Sequence, residues 1–295
     1  MDGPSEEGTT VTAFASFDGE TNEKGKKHGR GKLTWDDGES FEGEFEHDEK
    51  VRGTFRWKTG DVYTGEWKND LMTGVGTYEY ADGRRYVGSW EKGYRHGIGR
   101  FIWPNGDQYK GEFRVDRCQG IGVHTYADGK EYRGHWVDNK KHGYGILSLP
   151  NGERTEGFWE GNLLHGVTAF TQPSGKKFEE QWNEGVREGA RRPLKRSDSE
   201  MNALLGLAKR PKWAPDTAAE TCYKCEEAFT FSRRRHHCRF CGLIFCEKCS
   251  SKRGMVPVEP TKKPERVCEE CFTLINSNAV HQAVAKIDQL LGITV

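Results

Sequence analysis

The 295-residue chain has little of what a membrane-spanning protein or a large-cored enzyme needs. No apolar run approaches the roughly 18 residues that cross a bilayer as a helix, so no span is expected. The first ten residues, MDGPSEEGTT, contain neither a basic segment nor an apolar one. A secretory leader is therefore not expected, and cytoplasmic residence is. Apolar side chains make up only 34% of the chain, and its formal net charge is zero. No Ser, His and acid fall at nucleophile-like spacing, and no phosphate-cradling loop occurs, so no enzyme is expected.

What is present is equally uneven. Glycine is plentiful at 37 residues and aromatics reach 12%, a composition that favours a β-rich fold with many tight turns. The neutral total conceals two halves. From residue 186 onward there are 20 Lys and Arg against 13 Asp and Glu, a net +7; the preceding part is −7. A basic module follows an acidic one.

The first two thirds repeat at 23 residues. Tyr63-Thr-Gly-Glu-Trp67 recurs as Tyr86-Val-Gly-Ser-Trp90, Tyr109-Lys-Gly-Glu-Phe113 and Tyr132-Arg-Gly-His-Trp136. Thr155-Glu-Gly-Phe-Trp159 and the decayed Phe178-Glu-Glu-Gln-Trp182 follow; Phe41-Glu-Gly-Glu-Phe45 and a poorer copy from Phe17 precede. Each unit also carries a Gly-x-Gly pair, such as Gly74/Gly76, and a turn dipeptide, such as Asp82-Gly83 or Asn105-Gly106. Asp-Gly and Asn-Gly supply the positive φ of tight hairpins, and period-two aromatics mark half-buried strands. Each unit reads as one hairpin, and stacked hairpins make a quasi-one-dimensional solenoid. The pattern resembles the MORN repeat, over about residues 17–185, with seven clear units and an eighth at the N-terminal end. Its aromatics and glycines are expected to be structural. The resemblance implies a scaffold or interaction platform for a protein partner that the residues do not identify, or for more membrane.

A basic linker is expected over 186–209, with Ser197 and Ser199 in a basic-then-acidic setting. Beyond it, eight cysteines form four Cys-x-x-Cys knuckles, at Cys222/Cys225, Cys238/Cys241, Cys246/Cys249 and Cys268/Cys271. Four knuckles in about 50 residues suit two tetrahedral Zn²⁺ sites. Only four residues separate the second and third pairs, so interleaving is expected: pairs one and three on one zinc, pairs two and four on the other. Metal binding worth roughly 10–16 kcal/mol per structural zinc would then hold a thin-cored module together.

This stretch, 210–275, resembles an FYVE zinc finger through Trp213-Ala-Pro-Asp216, Arg234-Arg-His-His-Cys-Arg239 and Arg266-Val-Cys268. A RING-type ligase finger, the rival reading, usually has a His ligand and lacks the first two of these signatures. The FYVE resemblance implies a head-group pocket for phosphatidylinositol 3-phosphate. Arg234, Arg235, Arg239 and Arg266 would neutralise phosphate, and His236 and His237 would hold the 3-phosphate and inositol hydroxyls. Asp216 would accept from hydroxyls and penalise extra phosphates. Phe231, in Phe229-Thr-Phe-Ser232, would enter the bilayer while Phe229 packs in the core. Arg233, Lys252 and Arg253 would meet anionic lipid at about 1 kcal/mol each. The basic run is too short to favour nucleic acid.

After Cys271, the spacing of Val280, Val284, Ile287 and Leu291 predicts a helix over 276–295, docked in cis, with homodimerisation or binding of a partner as the alternatives. The expected fold class is mainly β: an elongated MORN β-hairpin repeat sheet plus a small two-zinc FYVE-type finger with a C-terminal helix. The expected role is a non-catalytic adaptor or scaffold of endosomal membrane trafficking, cytoplasmic and peripheral on endosomal membranes.

Overall fold

The computed structural model describes residues 15–194, 216–239, 241–254, 264–269 and 271–272. Ser197, Ser199, Trp213 and the helix expected over 276–295 lie outside the described residues. The chain divides into two compact units, Met1–Tyr94 and Arg95–Val295. Among the described residues no helix is long and apolar enough to cross a membrane.

The protein is mainly β. The first unit contains β1 (Ala15–Thr21), β2 (Lys27–Trp35), β3 (Ser40–Glu46), β4 (Glu49–Arg56), β5 (Val62–Lys68), β6 (Leu71–Glu79) and β7 (Arg85–Glu91). The second continues with β8 (Tyr94–Ile102), β9 (Gln108–Arg114), β10 (Arg117–Thr125), β11 (Glu131–Val137), β12 (Lys140–Ser148), β13 (Arg154–Glu160), β14 (Leu163–Thr171), β15 (Lys177–Asn183) and β16 (Val186–Pro193). Within each unit, strands adjacent in sequence pair antiparallel.

Register places the repeat glycines opposite one another. In the first unit Gly31, Gly43, Gly53, Gly65, Gly76 and Gly88 pair in succession. Gly99, Gly111, Gly122, Gly134, Gly145 and Gly157 do so in the second. A tyrosine lies over this bare row. A Cβ added at Gly76 would stand 2.3 Å from the Tyr63 hydroxyl and 2.5 Å from its ring. The Tyr63 hydroxyl donates to the Glu66 and Thr73 carbonyls, both 3.2 Å away, where the ladder shifts register. Tyr109 and Tyr132 repeat this towards Glu112 and His135 at 3.0 and 3.2 Å. Four residues on, the Trp or Phe meets the Tyr edge-on, with ring centroids 5.1 Å apart for Tyr63–Trp67 and Tyr109–Phe113. The row, the tyrosine and the tryptophan form one packing unit, which is why all three recur together.

The turns alternate. The Asp-Gly type uses a glycine at positive φ, as at Gly83 (87°). The other type is a two-residue turn with both residues left-handed, as at Asn69–Asp70 (50° and 60°) and Asp138–Asn139 (47° and 66°). Its second residue also ties to the preceding hairpin. The Lys27 N–H donates to Asp48 Oδ1 at 2.9 Å, and the Asp48 N–H donates back to the Lys27 carbonyl at 3.0 Å. Asp116 with Arg95, Asn139 with Cys118 and Asn162 with Lys141 form the same reciprocal clamp, each 21 residues apart.

The array ends by abandoning the glycine row. Gly157 is followed across the ladder by Thr168 and then Glu180. Glu180 is buried, accepts from Trp182 Nε1 at 2.9 Å, and is met by Arg187 at 3.5 Å and Arg191 at 2.5 Å. Arg191 also lies over the Phe170 ring, 3.8 Å from its centroid. The basic residues expected to begin a linker at 186 therefore form strand β16, because a buried carboxylate needs them as partners.

Two outcomes test this packing. Gly76→Ala is expected to cost roughly 1–3 kcal/mol by overpacking, and clearly less in a Tyr63→Leu background; urea denaturation of all four chains reads the coupling. Additive costs would show that the ring is not the constraint. The second concerns His124, which stands where Tyr78 and Phe101 stand in earlier repeats and stacks on Tyr126 and Trp103 at 4.2 and 5.3 Å. Burial pushes its pKa below 6.5, with Asp107 opposing. The unfolded chain thus takes up the proton first, so stability falls as pH drops through 6.5 towards the lower folded value. Melting temperatures between pH 7.5 and 5.5 should fall further for the wild type than for His124→Phe; equal losses would exclude His124 as the cause.

Candidate metal centre and anion pocket

Among its described residues the finger has only short regular elements. Its strands are β17 (His236–His237) with β18 (Ile244–Phe245), and β19 (Lys252–Gly254) with β20 (Glu265–Val267). The cysteine knuckles supply the rest of the order. In the second, Gly242 at φ 79° lets its N–H donate to the Cys238 carbonyl at 2.9 Å. In the first, the Glu226 N–H donates to the Cys222 carbonyl at 3.0 Å.

The sulfurs gather into two groups. Cys222, Cys225, Cys246 and Cys249 form one, and Cys238, Cys241, Cys268 and Cys271 the other, with each group's ligand atoms all within 4.8 Å of one another. A tetrahedral zinc with Zn–S bonds of about 2.3 Å holds its sulfurs about 3.8 Å apart. Cys225 and Cys246 are 3.8 Å apart, and Cys241 and Cys268 are 4.0 Å apart. Both tetrads are sized for Zn²⁺. Burial opposes ionisation of Cys222, but N–H groups of Cys225, Cys246 and Lys224 bring its pKa down to about 7. Four thiolates leave no open position, so such a metal is structural. The histidines of the basic run lie outside both groups.

Beside the second group an open pocket of about 620 Å³ is lined by Arg235, His236, His237, Arg239, Arg253, Pro264, Glu265 and Arg266. Pairing of β17 with β18 fixes His236 and His237, and the Arg239 N–H donates to the Arg266 carbonyl at 2.9 Å, tying the two arginine-bearing segments together. Arg235 donates to the Ala219 carbonyl at 3.2 Å and covers the Phe229 ring, 4.9 Å from its centroid. Burial, and then Arg266, push the His236 pKa below 6.5. Asp216 is exposed in a single 3-10 turn, its carboxylate 3.7 Å from His237 Nε2. Arg234 is exposed and does not line the pocket.

Three pocket features escaped the sequence reading. Arg253, assigned there to the lipid surface, lines the pocket. Glu265 faces Arg239 at 3.8 Å. Glu247 lies 3.2 Å from Arg266 Nη2 and 3.5 Å from His236 Nε2. The only available signal was position, Glu265 directly before Arg266-Val-Cys268 and Glu247 inside a Cys-x-x-Cys knuckle.

The loop at Thr230–Arg233 is tight. The Thr230 N–H donates to the Arg233 carbonyl at 3.1 Å, and the Arg233 N–H donates to Thr230 Oγ1 at 3.0 Å. This leaves Phe231 95% exposed, while Phe229 packs against the buried cluster of the finger. The opposite kind of contact occurs at the knuckles, which rest on the array within the second unit. Phe158 of β13 joins the cluster formed by Cys238, Cys241, Leu243 and Phe245. Tyr223 donates to Asp138 Oδ2 at 3.2 Å, His142 Nε2 lies 3.2 Å from the Cys241 carbonyl, and Arg114 meets Glu226 and the Tyr223 carbonyl. No array residue lines the cationic pocket.

Comparison with known proteins agrees with this division. Residues 23–40, 41–62, 63–84, 86–108, 109–131 and 132–154 match the MORN repeat, and residues 212–277 match the FYVE zinc finger. Early endosome antigen 1 of Homo sapiens is 42% identical over 79 residues, which is 27% of this chain and 6% of that protein. RUN and FYVE domain-containing protein 1 of Homo sapiens is 47% identical over 83 residues, 28% of this chain and 11% of that one. The chain thus spans only a small part of the length of these relatives. A solved structure, the LM5-1 FYVE domain from Leishmania major, is 39% identical, covers 23% of this chain and 82% of its own, and superposes with a TM-score of 0.22. On sequence pattern, strand register and cysteine geometry together, the chain is an array of MORN repeats followed by an FYVE zinc finger.

Proposed function

We propose that the chain is a non-catalytic membrane adaptor of endosomal trafficking. Its finger binds phosphatidylinositol 3-phosphate, and its array serves as the platform for a protein partner. The observation that carries this reading is the open pocket lined by Arg235, His236, His237, Arg239 and Arg266, in a finger whose loop exposes Phe231. Guanidinium forks match phosphate oxygens bidentately, and imidazole N–H groups add directional donors. Phe231 entering the acyl region adds about 1.5–3 kcal/mol of apolar burial. Arg233 in the same loop, with Lys252, adds attraction to an anionic surface.

The relatives support the location. One carries the early endosome in its name, and another names an FYVE domain. The finger contacts the array through its knuckles, and no array residue lines the pocket, which leaves the pocket and the Phe231 loop accessible to a membrane. The bound species is the lipid, not nucleic acid. A homodimer would double the lipid sites and raise avidity without new contacts.

Co-sedimentation of the full chain with vesicles holding each phosphoinositide in turn tests this. Selective pelleting with phosphatidylinositol 3-phosphate is expected, weakened about tenfold or more in Arg235→Ala and abolished by chelation of zinc. Pelleting that follows total negative charge, whichever head group supplies it, would overturn the lipid reading.

A further inference from the structure

The pocket's cations already have anionic neighbours, and one of these has the geometry of a ligand. Glu247 uses its two carboxylate oxygens on two different pocket groups: Oε1 lies 3.2 Å from Arg266 Nη2 and Oε2 lies 3.5 Å from His236 Nε2. A phosphate seated between Arg266 and His236 would present two oxygens in the same way. Arg266 holds the Glu247 carboxyl below the usual carboxylate range. Glu265 differs. It stands in the pocket wall on β20, only 22% exposed at its side chain, beside Arg239. Glu247 instead leaves 73% of its side chain exposed and sits in the knuckle between Cys246 and Cys249, so rotation into solvent requires no change in the finger's core.

We propose that Glu247 is a built-in rival of the lipid phosphate: it occupies Arg266 and His236 when no lipid is bound and must swing away when one is. This rests on the lipid reading above. The chemistry favours exchange. A phosphomonoester carries up to two negative charges and three acceptor oxygens, against one charge and two oxygens for the carboxylate. The phosphate wins, but its net gain is reduced by the Glu247 contacts it breaks. Glu247 keeps Arg266 and His236 partnered in the free protein and lowers affinity for the head group, which favours reversible residence on a membrane. Exposed pairs of this kind are weak, so the effect on affinity is modest.

The test uses the full chain as wild type, Glu247→Gln, Glu247→Ala and Glu220→Gln. Glu220 is an exposed carboxylate of the finger outside the pocket lining, so its removal makes the same charge change without touching Arg266 or His236. Binding is measured to vesicles containing phosphatidylinositol 3-phosphate and, by calorimetry, to soluble inositol 1,3-bisphosphate. Both Glu247 variants are expected to bind about two- to fivefold more tightly in both formats, with Glu220→Gln unchanged. Three results would overturn the proposal: weaker or equal binding by the Glu247 variants, a gain seen only on vesicles, or an equal gain in Glu220→Gln. Wild type that shows no preference for the 3-phosphate lipid would overturn the lipid reading and this inference with it. Wild type that is selective beside unimproved variants would overturn this inference alone.

Discussion

A tyrosine ring lying across paired glycines is the contact on which the array depends. Gly65 and Gly76 have no side chains where Tyr63 rests, and the ring's hydroxyl answers backbone carbonyls where the ladder shifts. A thin sheet has no deep core to bury apolar surface, so each repeat builds a small one from a tyrosine, an edge-on tryptophan and bare backbone. The low apolar content and high glycine content follow from this economy. At the far end the same lane is filled by Thr168 and Glu180 in place of glycines. The last strand is recruited by charge where earlier strands were recruited by rings.

The finger solves the same shortage differently. Its apolar cluster consists largely of cysteines, which pack as small apolar groups and gather their sulfurs at zinc distances. Resting those knuckles on Phe158, Tyr144 and Val137 of the array extends a core too small to be generous. The arrangement separates duties by face. One side of the finger is used for support, and the cationic pocket and the Phe231 loop remain available.

The sequence revealed what is periodic and what is chemically loud. The 23-residue spacing announced hairpins, and the Asp-Gly turns announced one of the two turn types, because glycine is the usual residue at such φ values. The other type stayed hidden. Val115–Asp116 and Asp138–Asn139 adopt left-handed φ without glycine, and nothing local in their sequence requires it. They are held by clamps to residues 21 positions earlier. Four knuckles and a basic run marked the finger, yet the acids around its pocket were invisible, since Glu247 and Glu265 look like ordinary surface residues until folding places them beside Arg266 and Arg239. The strand character of 186–193 was masked by its charge, which reads as linker until the buried Glu180 is known.

The reciprocal clamps at Asp48, Asp116, Asn139 and Asn162 also limit how such a protein can change in length. Each ties a turn to a residue 21 positions upstream by one side-chain and one backbone bond, so these four hairpins are indexed to their predecessors. A single inserted residue would put the wrong amide opposite the Asp or Asn side-chain oxygen and the wrong residue over the glycine lane. A whole hairpin added or deleted leaves every index intact. Descendants of this chain should therefore vary in length by complete repeats, as a text is edited by lines and not by letters.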